Sequence, residues 1–343
     1  MTGSSDGTGR EPILKVRHLK RYFGSSKGLG GRSSASALRA VDDVSFDVMA
    51  GETLAVVGES GSGKTTLGRV IVRADRATDG EVWLKLADGT SLDLTKLEGR
   101  RLRAVRPNMH MVFQDPYSAL EPRMTVQDIV MEPIIYNRLA RGADALERAR
   151  AALEMVGLQD RHMQLYPHAF SGGQRQRIGI ARSLVCNPRL IVCDEAVSAL
   201  DVSIQAQVLN LLQDMQGNLG LSYVFIAHNL AVVRHIAHRV AVMYVGKLVE
   251  LSSTEQLFSR PRHPYTEALL SAIPEPDPDR KSARKVLRGE TANPANPPSG
   301  CHFHPRCPYA TDRCAAEVPA LREVRPGQLA ACHYAEDLNL QGV

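Results

Sequence analysis

The sequence predicts an α/β fold built on a parallel β-sheet that helices cover on both faces. Continuous apolar runs at 190–193, 223–227 and 240–244 are typical of central parallel strands, which are buried on both sides. Helical patterns separate these runs, and a fourth short apolar run at 53–57 enters a glycine-rich turn. Alternation of strands and helices in this way predicts a sheet with crossover helices packed on its faces.

The remaining elements follow from the spacing of apolar residues. Segments 13–23 and 38–49 alternate apolar and polar positions, as the half-buried strands of an antiparallel hairpin do. Segment 109–113 predicts another strand, and segment 125–157 predicts helical structure with a break near Gly142. Further helices are predicted at 65–73, 172–185, 203–216, 229–237 and 267–273.

Composition sets the domain organisation. The chain has 343 residues, of which 43% are apolar and 23% charged, so it can bury a sizeable core and is not disordered throughout. Seven prolines between positions 274 and 305 indicate a linker. We therefore predict a flexible leader (1–10), a main domain (11–272) with a helical subdomain at about 115–187, a Pro-rich linker (273–299) and a small C-terminal Cys-rich extension (300–343).

The net charge of +5 is unevenly distributed. Residues 1–40 hold eight Lys and Arg against two Asp and Glu, whereas residues 41–278 hold 25 against 28. The excess lies in segments that we predict to be flexible, and aromatic residues are not interleaved with it, so a solvated surface is favoured over a nucleic-acid groove. The sequence also lacks a run that could span a membrane and an N-terminal secretory pattern, which predicts a protein on the cytosolic side.

A glycine-rich loop matches G-x-x-x-x-G-K-[ST] at every position and lies between a predicted strand and a predicted helix. Its glycines let the backbone wrap round phosphate oxygens, and the helix N-terminus adds a positive dipole end. In such a loop Lys64 binds the β- and γ-phosphates and the Thr65 hydroxyl binds Mg²⁺. The predicted site for ATP comprises Gly58, Glu59, Ser60, Gly61, Ser62, Gly63, Lys64, Thr65 and Thr66.

Two acids end the apolar strand at 190–193. Adjacent side chains on a strand point in different directions, so one acid can face the metal while the next faces the attacking water. We therefore predict that Asp194 binds Mg²⁺ and that Glu195 is the general base. A strand that ends in two acids is weak evidence by itself, but these acids lie about 130 residues after a phosphate loop, and this position supports their assignment to the ATP site.

The motif F-S-G-G-Q at 170–174 resembles the L-S-G-G-Q signature of ABC-type ATPases. Gln114, S-A-L-D at 198–201 and His228 match the family's other motifs in the same order, and Phe23 falls where the family places an aromatic that stacks on adenine. The resemblance covers roughly 14–272. It implies a P-loop NTPase of ABC type, with a RecA-like α/β core, an antiparallel β subdomain and a helical signature subdomain.

The resemblance also implies an assembly and residue roles. Two such domains pair head to tail, and each ATP lies between the phosphate loop of one and the signature of the other. Gln114 would contact Mg²⁺ or the attacking water, beside the surface that meets the membrane subunits, and His228 would hold the γ-phosphate. The partner's ATP or the interface would be contacted by Ser171, Gly172, Gly173, Gln174 and Asp201.

This chain departs from the family pattern at three positions. Phe170 replaces the usual Leu of the signature, Ala196 a frequent Pro, and Asn229 a frequent Asp. None of these changes removes a group that does chemistry. Because Ala196 lacks the fixed φ of proline, we expect a looser turn after Glu195.

Two C-terminal runs narrow the resemblance further. H-P-Y-T at 263–266 and G-C-H-F-H-P-R-C-P at 300–308 look like the extension of ATP-binding subunits in oligopeptide/dipeptide importers, and V-F-Q-D-P-Y at 112–117 is also similar to that subfamily. Such importers use two ATPase subunits, often different, with two permeases and an external substrate-binding protein. The resemblance thus implies a peripheral ATPase at the cytoplasmic face of the cell (inner) membrane, with a paralogous partner. Because relatives in the same subfamily transport nickel or glutathione, the resemblance does not identify the transported solute.

Four cysteines lie within the last 43 residues, at spacings C-x5-C-x6-C-x17-C. Disulfides are disfavoured in a chain without an export signal, so a metal or cluster is the first alternative to plain buried thiols. The spacings and the subfamily resemblance favour a [4Fe–4S] cluster over Zn²⁺, which prefers tighter pairs. We expect its role to be structural, so that serine at Cys307 unfolds the tail but spares ATP binding. The predicted ligands are Cys301, Cys307, Cys314 and Cys332.

A different class of function is a soluble ABC ATPase that acts on nucleic acid. Such proteins usually carry two ATPase units in one chain or long coiled-coil insertions, and the sequence has neither. We therefore predict no nucleic-acid partner and a competent ATPase half-site, since Lys64, Asp194, Glu195 and His228 are all present.

Overall fold

Two β-sheets organise the residues that the computed structural model describes, which are 11–24, 37–115, 117–273 and 289–343. The predicted leader, most of the loop at 24–37, Pro116 and much of the predicted linker lie outside these residues. The strands are β1 (Pro12–Phe23), β2 (Leu38–Met49), β3 (Thr53–Val57), β4 (Asp79–Lys85), β5 (Ser91–Asp93), β6 (Met109–Val112), β7 (Leu190–Asp194), β8 (Ser222–Ala227), β9 (Arg239–Tyr244), β10 (Lys247–Ser253), β11 (Arg322–Arg325) and β12 (Gln328–Ala330).

Ten α-helices accompany the strands in the described residues. They are α1 (Lys64–Ile71), α2 (Gly99–Val105), α3 (Val126–Tyr136), α4 (Gly142–Met155), α5 (Gly172–Leu184), α6 (Val202–Leu219), α7 (Leu230–Ile236), α8 (Thr254–Ser259), α9 (Pro264–Ser271) and α10 (Asp312–Ala316). In the described part of the chain, none of them is long and apolar enough to cross a membrane.

The smaller sheet is antiparallel, with strand order β2-β1-β4-β5. Its long pair β1 and β2 forms the predicted hairpin, and their inward apolar positions are buried together with α1. The sequence did not predict β4 and β5. In β4 only Val82 and Leu84 are buried, so the strand gives a weak apolar alternation.

The larger sheet has the order β11-β12-β10-β9-β3-β8-β7-β6. Its neighbours from β9 to β6 run parallel, and the three apolar runs predicted as central strands form β7, β8 and β9. The predicted α/β class is therefore confirmed. Because these strands are parallel, their carboxyl ends meet at one edge, and the loops that follow β3, β7 and β8 lie side by side there.

The other end of this sheet is antiparallel and includes the C-terminal extension. β10 pairs with β9 on one side and with β12 on the other, where Glu250 lies opposite Ala330. β11 closes this edge. The extension thus continues the main sheet across the boundary predicted at 272. The short, partly exposed strands β11 and β12 gave no periodic signal.

A helical unit, α3 to α5, lies between β6 and β7 in the chain and packs on the core through apolar side chains. The predicted break near Gly142 is present: α3 ends at Tyr136, and α4 begins at Gly142, which has a φ of +55°.

Candidate functional site

The phosphate loop connects β3 to α1 in a path that two of its glycines make possible. Gly58 has a φ of +151°, and a Cβ there would lie 2.2 Å from the Met243 carbonyl oxygen. Gly63 has a φ of +102°, and a Cβ there would lie 1.9 Å from the Ala40 carbonyl oxygen. Only glycine fits both the left-handed backbone and this close approach, which brings the loop down onto the neighbouring strands.

Lys64 begins α1 and is buried. Its Nζ donates to the carbonyl oxygens of Gly58 at 2.8 Å and of Glu59 at 2.9 Å, so the loop curls round the ammonium group. Burial lowers the pKa of Lys64, while the nearby Glu195 and Asp194 oppose that shift. A buried cation at the N-terminus of a helix that follows a glycine-rich loop is suited to bind phosphate.

Thr65 and Asp194 meet where α1 begins and β7 ends. The Thr65 hydroxyl donates to Asp194 Oδ1 at 3.0 Å. Burial raises the pKa of Asp194, and the Thr65 hydrogen bond counteracts part of this shift. Hydroxyl and carboxylate oxygens are the donors that Mg²⁺ prefers, and a cation would offset the burial of this charge, so these residues fit the ion.

Glu195 follows Asp194 and is bound by two other predicted residues. Gln114 Nε2 donates to Glu195 Oε2 at 2.8 Å, and His228 Nδ1 lies 3.3 Å from the same oxygen. Glu195 has a φ of +47°, an uncommon conformation for a residue with a side chain. This bend directs the Glu195 carboxylate to the ends of β6 and β8, beside Asp194.

The three departures from the family pattern are accommodated near this site. Phe170 and Ala196 are buried. Asn229 caps α7, because its Oδ1 accepts the Ala231 N–H at 2.9 Å, as an aspartate would. A hydrogen bond from the Ser198 N–H to the Glu195 carbonyl oxygen at 3.0 Å closes the turn that lacks proline.

The signature begins α5 and forms a capping box. Gln174 Oε1 accepts the Ser171 N–H at 3.1 Å, and the Ser171 hydroxyl accepts the Gln174 N–H. A Cβ on Gly173 would lie 2.3 Å from Ile204 Cγ2, so this glycine lets α5 pack against the start of α6. Asp201 caps α6 by accepting the Ile204 N–H at 3.0 Å.

Both the signature and the phosphate loop present exposed residues at the protein surface. Ser171 and Asp201 are exposed, as are Ser60 and Gly61 of the phosphate loop. Within the described residues, the hydrogen bonds of the signature stay inside the segment 167–175 and do not reach the phosphate loop. One chain therefore presents the two halves of the predicted site separately.

Phe23 ends β1 at the rim of the smaller sheet. The Arg21 guanidinium lies 4.2 Å above the centre of its ring, and the side chain is half-buried.

A groove of about 410 Å³ lies between β6 and the helices α3 and α5, and Phe113, the residue before Gln114, lines it. Phe113 and Tyr136 at its wall are exposed, and Arg182 there binds Glu132 at 2.8 Å. Among the described residues this is an apolar surface with a charged border.

The four C-terminal cysteines line one small cavity of about 20 Å³. The structure has all of them as free thiols. Burial raises the pKa of Cys307 to about 12 and of Cys332 to about 11, and it also raises the pKa of Cys301. Near Cys314, the Thr311 hydroxyl lies 3.7 Å from the sulfur.

The predicted Mg²⁺ and cysteine sites contain side chains of the type that bind these metals, but the side chains are not arranged as coordination shells. Within the described ranges, no group of three or more His, Cys, Asp or Glu is arranged to hold a metal ion as it stands. The cysteine cavity has room for about one water molecule, so a cluster would require the thiols to move outward. Cysteine sulfurs gathered at one cavity are nevertheless the donor type that zinc and iron–sulfur clusters take once the thiols are deprotonated.

Sequence reasoning missed three residues that hold the start of the phosphate loop. The Arg306 guanidinium binds the Glu59 carboxylate at 2.7 and 3.0 Å, the Thr291 hydroxyl donates to it at 2.7 Å, and the Tyr265 hydroxyl accepts the Glu59 N–H at 2.7 Å. Burial would raise the pKa of Glu59, but the Arg306 and Thr291 hydrogen bonds lower it overall. No local pattern could reveal these contacts, since they span more than 200 residues.

Comparisons with known proteins agree on the family. A model described as ABC transporter matches residues 41–198, and one described as the C-terminal region of oligopeptide/dipeptide transporters matches residues 249–314. A peptide import ATP-binding protein of Brucella ovis is 51% identical over 321 residues, which cover 94% of this chain and 97% of that protein. The oligopeptide transport ATP-binding protein AppF of Bacillus subtilis is 47% identical over 326 residues, with 94% and 98% covered.

A solved structure extends the comparison to the fold. The ATP-binding cassette MJ0796, in a dimeric post-hydrolysis state bound to ADP and Pi, is 27% identical with a TM-score of 0.60. The match covers 71% of this chain and 99% of that one.

Proposed function

This chain belongs to the family of ABC transporter ATP-binding subunits, and from that premise we propose that it hydrolyses ATP to drive the import of di- and oligopeptides. One observation carries the proposal. The groups that ATP hydrolysis needs converge at one edge of the parallel sheet, where Thr65 meets Asp194 and where Glu195 is bound by Gln114 and His228.

The chemistry follows from those positions. The backbone N–H groups of the loop and Lys64 bind the phosphates, and Thr65, Asp194 and Gln114 would hold Mg²⁺, which neutralises developing charge when bound. Glu195 accepts a proton from the attacking water, and His228 holds the γ-phosphate in place. In the present arrangement Gln114 and His228 keep the Glu195 carboxylate beside Asp194, ready for nucleotide.

A complete ATP site needs a second subunit. Ser171 of the signature is exposed, and no hydrogen bond in the described residues joins the signature to the phosphate loop. This supports an arrangement in which Ser171, Gly172, Gly173 and Gln174 contact the partner's ATP across the interface near Asp201. The dimeric cassette MJ0796 is consistent with such pairing. We propose a paralogous ATPase as the partner, and Phe23 as the residue that stacks on adenine.

The subunit works with two permeases and an external substrate-binding protein in this proposal, at the cytoplasmic face of the cell (inner) membrane. The groove beside Phe113 and Tyr136 is the docking surface that we assign to a permease. Phe113 at its wall directly precedes Gln114 in the chain, and Gln114 donates to Glu195, so a movement of the permease can reach the Glu195 carboxylate through one hydrogen bond. Nucleic acid has no place in this scheme.

We assign a metal centre to Cys301, Cys307, Cys314 and Cys332, with a [4Fe–4S] cluster as the first choice and Zn²⁺ as the alternative. The convergence of the four sulfurs on one cavity supports it. Iron, zinc and acid-labile sulfide measured in anaerobically purified chains decide between them. Cys307→Ser should lose the bound metal while Cys186→Ser, a buried cysteine outside the cavity, should keep it. A wild-type chain without iron or zinc would show that the thiols are merely buried.

Uptake by cells tests the function. Glu195→Gln should abolish uptake of a labelled di- or tripeptide, because its amide cannot accept the proton of water. The matched control is Glu147→Gln, an exposed substitution on α4 that should leave uptake unchanged. If peptide uptake persists while nickel uptake falls, the ATPase assignment holds but the cargo is wrong.

A further inference from the structure

The second residue of the phosphate loop is held by the C-terminal extension. Arg306 presents two N–H groups to the Glu59 carboxylate, with Nη1 to Oε2 at 2.7 Å and Nη2 to Oε1 at 3.0 Å. Its side chain is only 8% exposed and that of Glu59 25% exposed, so the pair is largely shielded from water. Such a two-pronged, charge-assisted contact is strong and fixes orientation as well as distance.

The backbone of Glu59 is anchored from the same side. Its N–H donates to the hydroxyl of Tyr265, whose ring packs against Tyr244 and Phe303. Phe303 lies between Cys301 and Cys307 in the sequence, and only 1% of its surface is exposed. The side chain of Glu59 is therefore held by Arg306 of the C-terminal extension, and its main chain by Tyr265, which packs against Phe303 of the same extension.

These anchors reach the lysine that binds phosphate. Lys64 Nζ donates to the carbonyl oxygen of Glu59, the anchored residue, and to that of Gly58, which belongs to the same peptide unit as the anchored Glu59 N–H. In addition, a Glu59 carboxylate without its partner would place an uncompensated negative charge on a loop that must receive a polyanion. Arg306 removes that charge.

We propose that Arg306 is a positioning residue for ATP binding, which acts through Glu59 to shape and neutralise the phosphate loop. ATP affinity then depends on the fold of the segment that carries Arg306. The sequence led us to expect that an unfolded tail would spare ATP binding. Under this proposal the contact between Arg306 and Glu59 predicts the opposite, that an unfolded tail weakens ATP binding. The inference assumes ATP binding and is independent of the transported solute.

Titration of the purified full chain with a fluorescent trinitrophenyl-ATP, and competition by unlabelled ATP, tests this role. Arg306→Gln leaves the Glu59 carboxylate with the Thr291 hydroxyl but without its cation, and it should weaken ATP binding by about tenfold. The double variant Arg306→Gln with Glu59→Gln removes the unpaired charge and should restore most of the affinity. The matched control Arg313→Gln breaks an exposed ion pair with Glu317 in the same extension and should change nothing.

The double variant separates positioning from simple attachment of the tail. If Arg306 only attached the tail, both variants would lower the thermal midpoint alike and the second substitution would restore no affinity. Unchanged ATP affinity in Arg306→Gln, or a double variant as weak as the single one, would overturn the proposal.

Should Arg306→Gln fail to fold, Arg306→Lys replaces it. Lysine keeps the charge but not the two-pronged geometry. An ATP affinity between the wild type and the tenfold loss supports the proposal, and wild-type affinity contradicts it.

Discussion

The two ends of the larger sheet are built on different principles. At the carboxyl edge of the parallel strands, Lys64 begins α1, Asp194 ends β7 and Glu195 follows it. These residues come together because the parallel strands all end at this edge. At the antiparallel end, β10 pairs with a strand from the extension, and the fully buried Glu250 accepts N–H groups from Arg262 and His263. The first end is specified by short motifs, whereas the second depends on contacts between distant segments.

This difference explains why the sequence predicts the geometry of the ATP site more fully than that of the C-terminal cysteines. A motif such as the phosphate loop carries its own geometry, since strand, turn and helix are consecutive. The cysteines carry only their chemistry, because loops and α10 decide how far apart the sulfurs lie. Substitutions at the two ends should therefore act in different ways.

The largest effect is expected at the parallel edge. Glu195→Gln should lower the rate of ATP hydrolysis by about 10²–10⁴-fold, because the general base is lost, while ATP affinity is retained. Phosphate release and nucleotide titration measure the two separately. A parallel loss of affinity would mean that Glu195 shapes the loop and does not act in the chemical step.

At the antiparallel end the expected effect is on stability and depends on pH. Burial raises the pKa of Glu250 to about 7 from an ordinary value of 4.5. The folded state then holds a proton that the unfolded state has released, so stability falls as the pH rises from about 4.5 through 7, by about 3 kcal/mol.

Thermal midpoints of the wild type and Glu250→Gln, measured from pH 5 to 8, isolate this group because other titrating residues are common to both. The midpoint of the wild type should fall relative to that of the variant as the pH rises. A constant difference across this range would contradict the raised pKa.

The phosphate loop itself offers a contrast between close approach and backbone strain. Gly63→Ala should cost about 2–3 kcal/mol of stability, since its φ is positive and its Cβ meets the Ala40 carbonyl oxygen. Gly61→Ala shares a positive φ but meets open space, so it should cost about 1 kcal/mol. Denaturant unfolding compares them, and equal costs would show that strain alone matters.

The smallest effect is expected where the chain departs from its family without a structural change. Asn229→Asp keeps the cap on α7 and adds a favourable charge at the helix N-terminus, so the free energy of unfolding should rise by less than about 1 kcal/mol. Thermal unfolding and ATPase assays check it. A large drop in activity would mean that a second acid next to His228 disturbs Glu195.

Much of the candidate site could be predicted from local sequence, and some could not. Lys64, Thr65 and Asp194 were found because their motifs combine a strand with a turn, and β7, β8 and β9 because they are continuous apolar runs. β4 was missed because only two of its side chains are buried. Arg306 was missed because one arginine among the nine Lys and Arg of residues 279–343 gives no signal that it contacts the phosphate loop.

By itself, the sequence determined the α/β class, the phosphate loop, the two acids and the signature, since each is encoded by residues that are neighbours in the chain. Only the tertiary structure decided that the extension continues the main sheet, that four cysteines share a small cavity, and that Arg306 binds Glu59. Those contacts join residues up to 247 positions apart, and their geometry depends on how separate elements pack. Local patterns fix backbone conformation and residue chemistry, whereas distances between distant segments are fixed by packing of the whole core.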